Sequence, residues 1–132
     1  MKTNMVVYYC PICGKELLEL KDSAATPQCC GREMETMTVN TSDASEEKHL
    51  PVCETEGDCL KVKVGSEPHP MEPKHYIEWI MTDTGDELRI RFLKAGDAPE
   101  TVFKDCAGEN KTVWSCCNVH GLWVTDKECE QK

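Results

Sequence analysis

Cys117-Asn118-Val119-His120-Gly121, near the C-terminus, is the stretch from which the rest of the chain is read. A thiolate and an imidazole three residues apart, closed by a glycine that permits a sharp turn, can reach one metal ion from a single loop. Two ligands alone hold nothing. The other histidines, His49, His69 and His75, lie upstream in polar, proline-rich surroundings, so the reading turns on whether they converge on Cys117 and His120.

The chain has 132 residues, enough for one domain or for a small one joined to a medium one, since domains run to about 100–150 residues. A formal net charge of −9 argues against nucleic acid and anionic membrane surfaces as partners, because both reward basic patches. The plain alternative is a well-hydrated soluble protein. Ten cysteines would suit a secreted disulfide scaffold behind an export signal, but Met1-Lys2-Thr3-Asn4-Met5-Val6-Val7 lacks a long apolar core. No run of about 18 apolar residues offers a membrane span either. The expectation is a cytoplasmic protein, where thiols stay reduced and clustered cysteines are metal ligands more often than bridges.

In chain order, Val6-Val7-Tyr8-Tyr9 reads as a strand that feeds Cys10-Pro11-Ile12-Cys13-Gly14-Lys15. Proline and glycine shape a turn there that leaves backbone N–H groups for the two sulfurs. Cys29-Cys30-Gly31 follows after a polar loop. Adjacent cysteines do not easily bridge each other, so Cys10, Cys13, Cys29 and Cys30 are expected to share one ion, against the alternative of reactive or stray thiols. Zinc and iron both suit such a site, and the vicinal pair should distort its tetrahedron. A unit of roughly 36 residues is too small for a self-sufficient core and needs a metal, a neighbour or a dimer partner.

Residues 36–46 are polar and read as a linker. Beyond them short strands are predicted at 50–54, 60–64, 75–81, 88–93, 101–104 and 111–115, separated by turns such as Asp83-Thr84-Gly85-Asp86. Strands at this spacing favour an all-β sandwich. The histidines fall at strand ends and in loops, where sites held by a rigid scaffold are usually found. Taken singly, each is more often an ordinary surface or hydrogen-bonded residue. Spacing alone leaves both readings standing.

Five stretches carry a resemblance that bears on this choice: Glu47-Lys48-His49-Leu50-Pro51, Pro68-His69-Pro70-Met71, Lys74-His75-Tyr76-Ile77-Glu78-Trp79, Phe92-Leu93-Lys94-Ala95-Gly96-Asp97-Ala98-Pro99 and Cys117-Asn118-Val119-His120-Gly121. Together and in this order they resemble superoxide reductases of the desulfoferrodoxin, two-iron type. The N-terminal cysteines are similar to those of desulforedoxin, the first domain of that class. The resemblance implies a mainly β chain: a desulforedoxin-like four-cysteine iron domain over 1–37, a linker over 38–46, an immunoglobulin-like antiparallel β-sandwich over 47–126 and a polar tail over 127–132.

It further implies two irons per chain. Cys10, Cys13, Cys29 and Cys30 would hold the first; His49, His69, His75 and His120, with Cys117 as the axial thiolate, would hold the second and catalytic one. Five protein ligands leave an octahedral position open. The implied activity is one-electron reduction of superoxide to hydrogen peroxide, with Glu47 as the carboxylate that closes the open position and Lys48 as the cation that attracts the anion. Both would otherwise read as solvated surface charges. A rubredoxin-like donor is implied as the electron source, and a homodimer as the assembly. Electron relay from the first iron is a hypothesis that this pairing of sites invites.

Five cysteines fall outside both sets. Strand alternation sends Cys116 and Cys117 to opposite faces, and the Cys-Asn-x-His pattern selects Cys117. Cys53 and Cys59 flank a hairpin turn and are expected as thiols; Cys106 has no assigned partner, and Cys129 sits in a tail expected to fray. Ile77, Trp79, Trp114 and Trp123 read as packing, the two latter bracketing the Cys-x-x-His loop. A copper electron-transfer sandwich would use Cys117, His120 and one upstream histidine, but no methionine follows His120 in the axial place, and four imidazoles are too many. A pure electron carrier or a zinc-stabilised interaction module leaves the histidines without a purpose.

Overall fold

The computed structural model describes residues 6–40, 49–65, 68–104, 111–125 and 130–131. Contacts divide the chain into two compact units, one ending at Thr38 and the other beginning at Val39. Every regular element among the described residues is a strand.

The small unit is built from β1 (Val7–Tyr9), β2 (Glu16–Leu18), β3 (Gln28–Cys29), β4 (Arg32–Glu33) and β5 (Glu35–Thr36). β1 runs antiparallel between β2 and β5, and β3 pairs with β4. Its fully buried apolar side chains are few: Val7, Cys10 and Met34. So thin a core supplies little driving force, as the size of the unit already predicted.

The larger unit follows from alternation. In β7 (Pro51–Glu56) and β8 (Cys59–Val64) every second residue turns inward. Pro51, Cys53 and Thr55 face Leu60, Val62 and Val64 across the same layer, while Lys61 and Lys63 keep their charges toward water. The remaining strands are β6 (Val39–Asn40), β9 (Ile77–Asp83), β10 (Leu88–Phe92), β11 (Glu100–Phe103), β12 (Thr112–Cys117), β13 (Gly121–Thr125) and β14 (Glu130–Gln131). They form one sheet in the order β10-β9-β12-β13-β6 and another in the order β11-β8-β7-β14. Cys53, Leu60, Val62, Val64 and Phe103 from the second sheet meet Ile77, Ile80, Val113 and Cys117 from the first in one apolar cluster. Each fully buried aliphatic side chain there contributes about 1.5–3 kcal/mol. The axial cysteine candidate therefore stands at the edge of the core itself.

Several expectations shift. β13 was not anticipated, because its pattern of Leu122, Trp123 and Val124, all buried, does not alternate. Val39–Asn40, inside the stretch expected as linker, pairs in parallel with β13, and Glu130–Gln131, inside the tail expected to fray, pairs in parallel with β7. His75 does not begin a strand: it bridges to Glu72 in a turn before β9 starts at Ile77. Cys53 is disulfide-bonded rather than a thiol. Its partner is not Cys59, which is a thiol and lies opposite Glu56, whereas Cys53 lies opposite Val62. No helix long and apolar enough to cross a membrane occurs among the described residues.

Candidate metal centres

In the small unit, Cys10, Cys13, Cys29 and Cys30 bring their sulfurs to within 4.8 Å of one another. The turn after Cys10 is closed by Gly14 N–H donating to the Cys10 carbonyl at 2.9 Å, with Gly14 at φ +82°. It presents the Cys13 N–H to the Cys10 sulfur at 3.5 Å. Cys30 and Gly31 form the two-residue loop of the β3–β4 hairpin, at φ +54° and +78°. Two successive left-handed residues are what a type I′ turn requires. The turn thus resolves the vicinal pair: strand geometry at Cys29 and left-handed geometry at Cys30 let both side chains reach the same ion.

The electrostatics of Cys10, Cys29 and Cys30 agree with a shared cation. The Cys13 N–H, first among several donors, holds Cys10 down to about 6, whereas hydrogen bonding with the neighbouring thiols, the Cys13 side chain first, pushes Cys30 up to about 12. Cys29 is raised too, again chiefly through Cys13. One thiolate forms readily and its neighbours then resist, which a bound metal ion reverses.

The second cluster joins three parts of the sandwich. His49 precedes β7, His69 and His75 sit in the connection before β9, and Cys117 ends β12, with His120 three residues on. Their ligand atoms all lie within 4.8 Å of one another. The imidazoles contact one another in a closed circuit. Ring centres are 4.9 Å apart for His49–His69, 4.8 Å for His69–His75, 5.0 Å for His75–His120 and 4.7 Å for His120–His49, and every pair meets edge to face. Around a central ion, a bond of about 2.1 Å and the roughly 1.2 Å from a ring nitrogen to its ring centre put neighbouring centres roughly 4.7 Å apart on a square. The observed sides fit that square.

Cys117 stands beside the circuit, its sulfur 3.7 Å from His120 Nδ1 and accepting the His120 N–H at 3.4 Å. Gly121, at φ +84°, returns the chain from this turn into β13, directly opposite Cys117. Burial raises the Cys117 thiol, partly offset by the N–H groups of His120 and Val119. Burial likewise lowers His69 to about 4, so its imidazole is held neutral. His69 Nδ1 is engaged by the Pro70 carbonyl at 2.7 Å, which leaves Nε2 to face the cluster. The buried His69 Nε2 and His75 Nε2 have no hydrogen-bond partner among the described residues. A buried nitrogen without a partner is costly, and a cation at the centre satisfies both at once. The residues present therefore fit a metal ion. Exposure rises from Cys117 and His69 through His75 to His120, so the cluster opens to solvent on the His120 side.

Glu47 and Lys48 lie outside the described residues, as do Cys106 and Cys129. Cys116 turns away from the cluster and approaches Glu78 Oε1 at 3.7 Å, as alternation predicts. Three residues support the cluster through contacts that were not assigned from sequence. The Ser115 hydroxyl donates to the His49 carbonyl at 3.0 Å, Trp123 stacks on the His49 ring, and the Asn118 carboxamide binds the chain on both sides of His75. Trp123 was read only as packing that brackets the Cys-x-x-His loop, Asn118 lies inside the quoted motif, and Ser115 carried no signal.

The sequence profile of the Desulfoferrodoxin family matches residues 41–126. A desulfoferrodoxin of Desulfarculus baarsii is 42% identical over 126 residues, which cover 96% of this chain and 99% of that one. A superoxide reductase of Pyrococcus horikoshii is 35% identical over 111 residues, covering 70% of this chain and 96% of its own. Among solved structures, the superoxide reductase from Treponema pallidum superimposes with a TM-score of 0.77 at 29% identity, over 92% of this chain and 98% of that chain. Both the knuckle unit and the sandwich fall within the match to the first of these relatives, so the chain belongs to the desulfoferrodoxin family.

Proposed function

We propose that this chain is a superoxide reductase, delivering one electron to superoxide and releasing hydrogen peroxide at an iron held by His49, His69, His75, His120 and Cys117. The observation that carries this reading is the closed circuit of four imidazoles beside a buried thiol. It is supported by the relatives that bear the name superoxide reductase.

His49, His69, His75, His120 and Cys117 would hold the iron, and iron with five protein donors would still have room for a substrate, unlike a closed structural site. Bound iron(II) supplies the single electron, and the balance is superoxide plus one electron plus two protons giving hydrogen peroxide. The chain's residues do the rest. Four neutral imidazoles and one thiolate leave a divalent centre with a net positive charge, which favours an anionic substrate. The Cys117 thiolate would be the electron-donating ligand of the set, a donation that would favour release of product. On the family resemblance, Lys48 would draw the anion in and order proton-donating water, and Glu47 would offer a carboxylate to the iron between turnovers. Cys10, Cys13, Cys29 and Cys30 hold a second iron. A rubredoxin-like donor restores the reduced state, and the protein works as a cytoplasmic homodimer.

The stoichiometry of a single turnover tests the reading. The iron-loaded, reduced protein, given less than one equivalent of superoxide in a radiolysis pulse without a donor, should yield one peroxide per superoxide consumed and no dioxygen, and should reduce later pulses only while reduced centres remain or a donor is added. Dioxygen equal to half the superoxide consumed would mean dismutation. That result, or an iron-loaded protein that does not react, overturns the proposal.

A further inference from the structure

The antiparallel ladder between β9 and β12 changes register at the site. Cys116 pairs with Trp79 and the next residue, Cys117, with Ile77, so the ladder passes over Glu78. Such an irregularity bends the strand that carries the extra residue, here β9 at Glu78, opposite Cys116 and Cys117. Immediately afterwards the backbone must leave the ladder altogether, because residues 118–120 form the turn that carries His120 back to the cluster.

The pairing nevertheless continues for one more step, through a side chain. The Asn118 N–H donates to the Tyr76 carbonyl at 3.2 Å. The Tyr76 N–H, which in a regular ladder would meet a backbone carbonyl, donates instead to Asn118 Oδ1 at 2.9 Å. Asn118 Nδ2 then reaches past His75 and donates to the Lys74 carbonyl at 3.1 Å. Both neighbours of His75 are thus fastened to the residue that follows Cys117. An amide is the one side chain with an acceptor and a donor so spaced, and aspartate retains only the acceptor.

We propose that Asn118 is a positioning residue: its carboxamide stands in for the interrupted ladder and sets the His75 imidazole against the Cys117 sulfur. The inference rests on the five-ligand reading above and concerns a residue that touches neither metal nor substrate. His75 is otherwise placed by the short Glu72–His75 bridge and by the Ile77 N–H donating to the Met71 sulfur at 3.4 Å, a weak acceptor. Loss of the clamp should therefore be felt at the metal and not in the core.

The test uses the full chain loaded with zinc for amide exchange by NMR and with cobalt(II) for absorption. In Asn118→Ala the Tyr76 amide should exchange at least tenfold faster, on the order of the loss of one protecting bond, while amides of β8 are unchanged. Affinity for cobalt(II) should fall about 10–100-fold, as for other groups that orient a ligand. The thiolate-to-cobalt band, defined as the intensity that Cys117→Ser removes, should shift. Asn118→Asp should keep the slow Tyr76 exchange, because Oδ1 is retained. If Asn118→Ala leaves the Tyr76 amide and the cobalt band as in the parent, or if it loosens β8 equally, Asn118 does not position His75. If Cys117→Ser removes no intensity from the parent spectrum, the five-ligand reading itself fails, a separate result.

Discussion

The indole of Trp123 lies nearly parallel to the His49 imidazole, with ring centres 4.5 Å apart and planes inclined by 14°. The Ser115 hydroxyl holds the His49 backbone from β12. One ligand is thus fixed by face and by backbone, from two adjacent strands of a single sheet.

Removing the face should loosen the ring. Trp123 is 9% exposed, and truncation of a buried aromatic costs about 3–5 kcal/mol. Trp123→Ala should show that loss in denaturant melts and release metal faster to a chelator. Trp123→Phe, which keeps a flat ring over His49, should recover most of the metal retention. Equal retention in all three proteins would show that stacking does not hold His49.

Ser115 is fully buried, so Ser115→Ala deprives a carbonyl of its donor where water does not easily replace it. A lost bond of this kind costs about 1–3 kcal/mol. The expected result is a lower urea midpoint with an unchanged slope, together with faster loss of metal from the histidine cluster.

Gly121 turns the chain at φ +84°, a conformation that costs a residue bearing Cβ about 1–2 kcal/mol. Gly121→Ala should destabilise the sandwich by that amount and displace His120, seen as a changed cobalt(II) spectrum. A variant with the parent's stability and spectrum would mean that the turn relaxes at no cost.

The small unit has almost no core beyond Val7, Cys10 and Met34, so its fold should depend on metal. Cys13→Ser, or chelation, should raise amide exchange throughout β1, β2 and β5, while β8, β9 and β12 stay protected. Persistent protection of β1 without metal would contradict this.

The net charge of −9 repels an anionic substrate unless the mouth of the site is locally positive. Lys48→Ile should slow the capture of superoxide and flatten its dependence on ionic strength, measured by pulse radiolysis. Capture as fast as in the parent at low salt would remove the steering role.

Much of this was legible along the chain. The knuckle at Cys10 and Cys13, the turn glycine at Gly121 and the alternation of β8 are local patterns, set by spacing and by period-two burial. β13 was not legible, because a strand buried on both faces has no alternation to read. The His75 turn and the register change opposite Cys117 were hidden for a related reason: irregular pairing depends on the partner strand, not on the segment itself. The Cys53 disulfide went against an expectation built on compartment alone.

By itself the sequence determined which atoms could bind metal and that two sets of them existed, since ligand chemistry belongs to residue type. Only the tertiary structure decided that His49, His69, His75 and His120 close a circuit, and that Asn118, Ser115 and Trp123 hold it in place. Those residues are joined by ladders and side-chain contacts between distant segments, 71 positions apart for His49 and His120 and farther still for His49 and Trp123. Contacts over such separations are fixed by how two sheets pack on a common core, which no local pattern encodes.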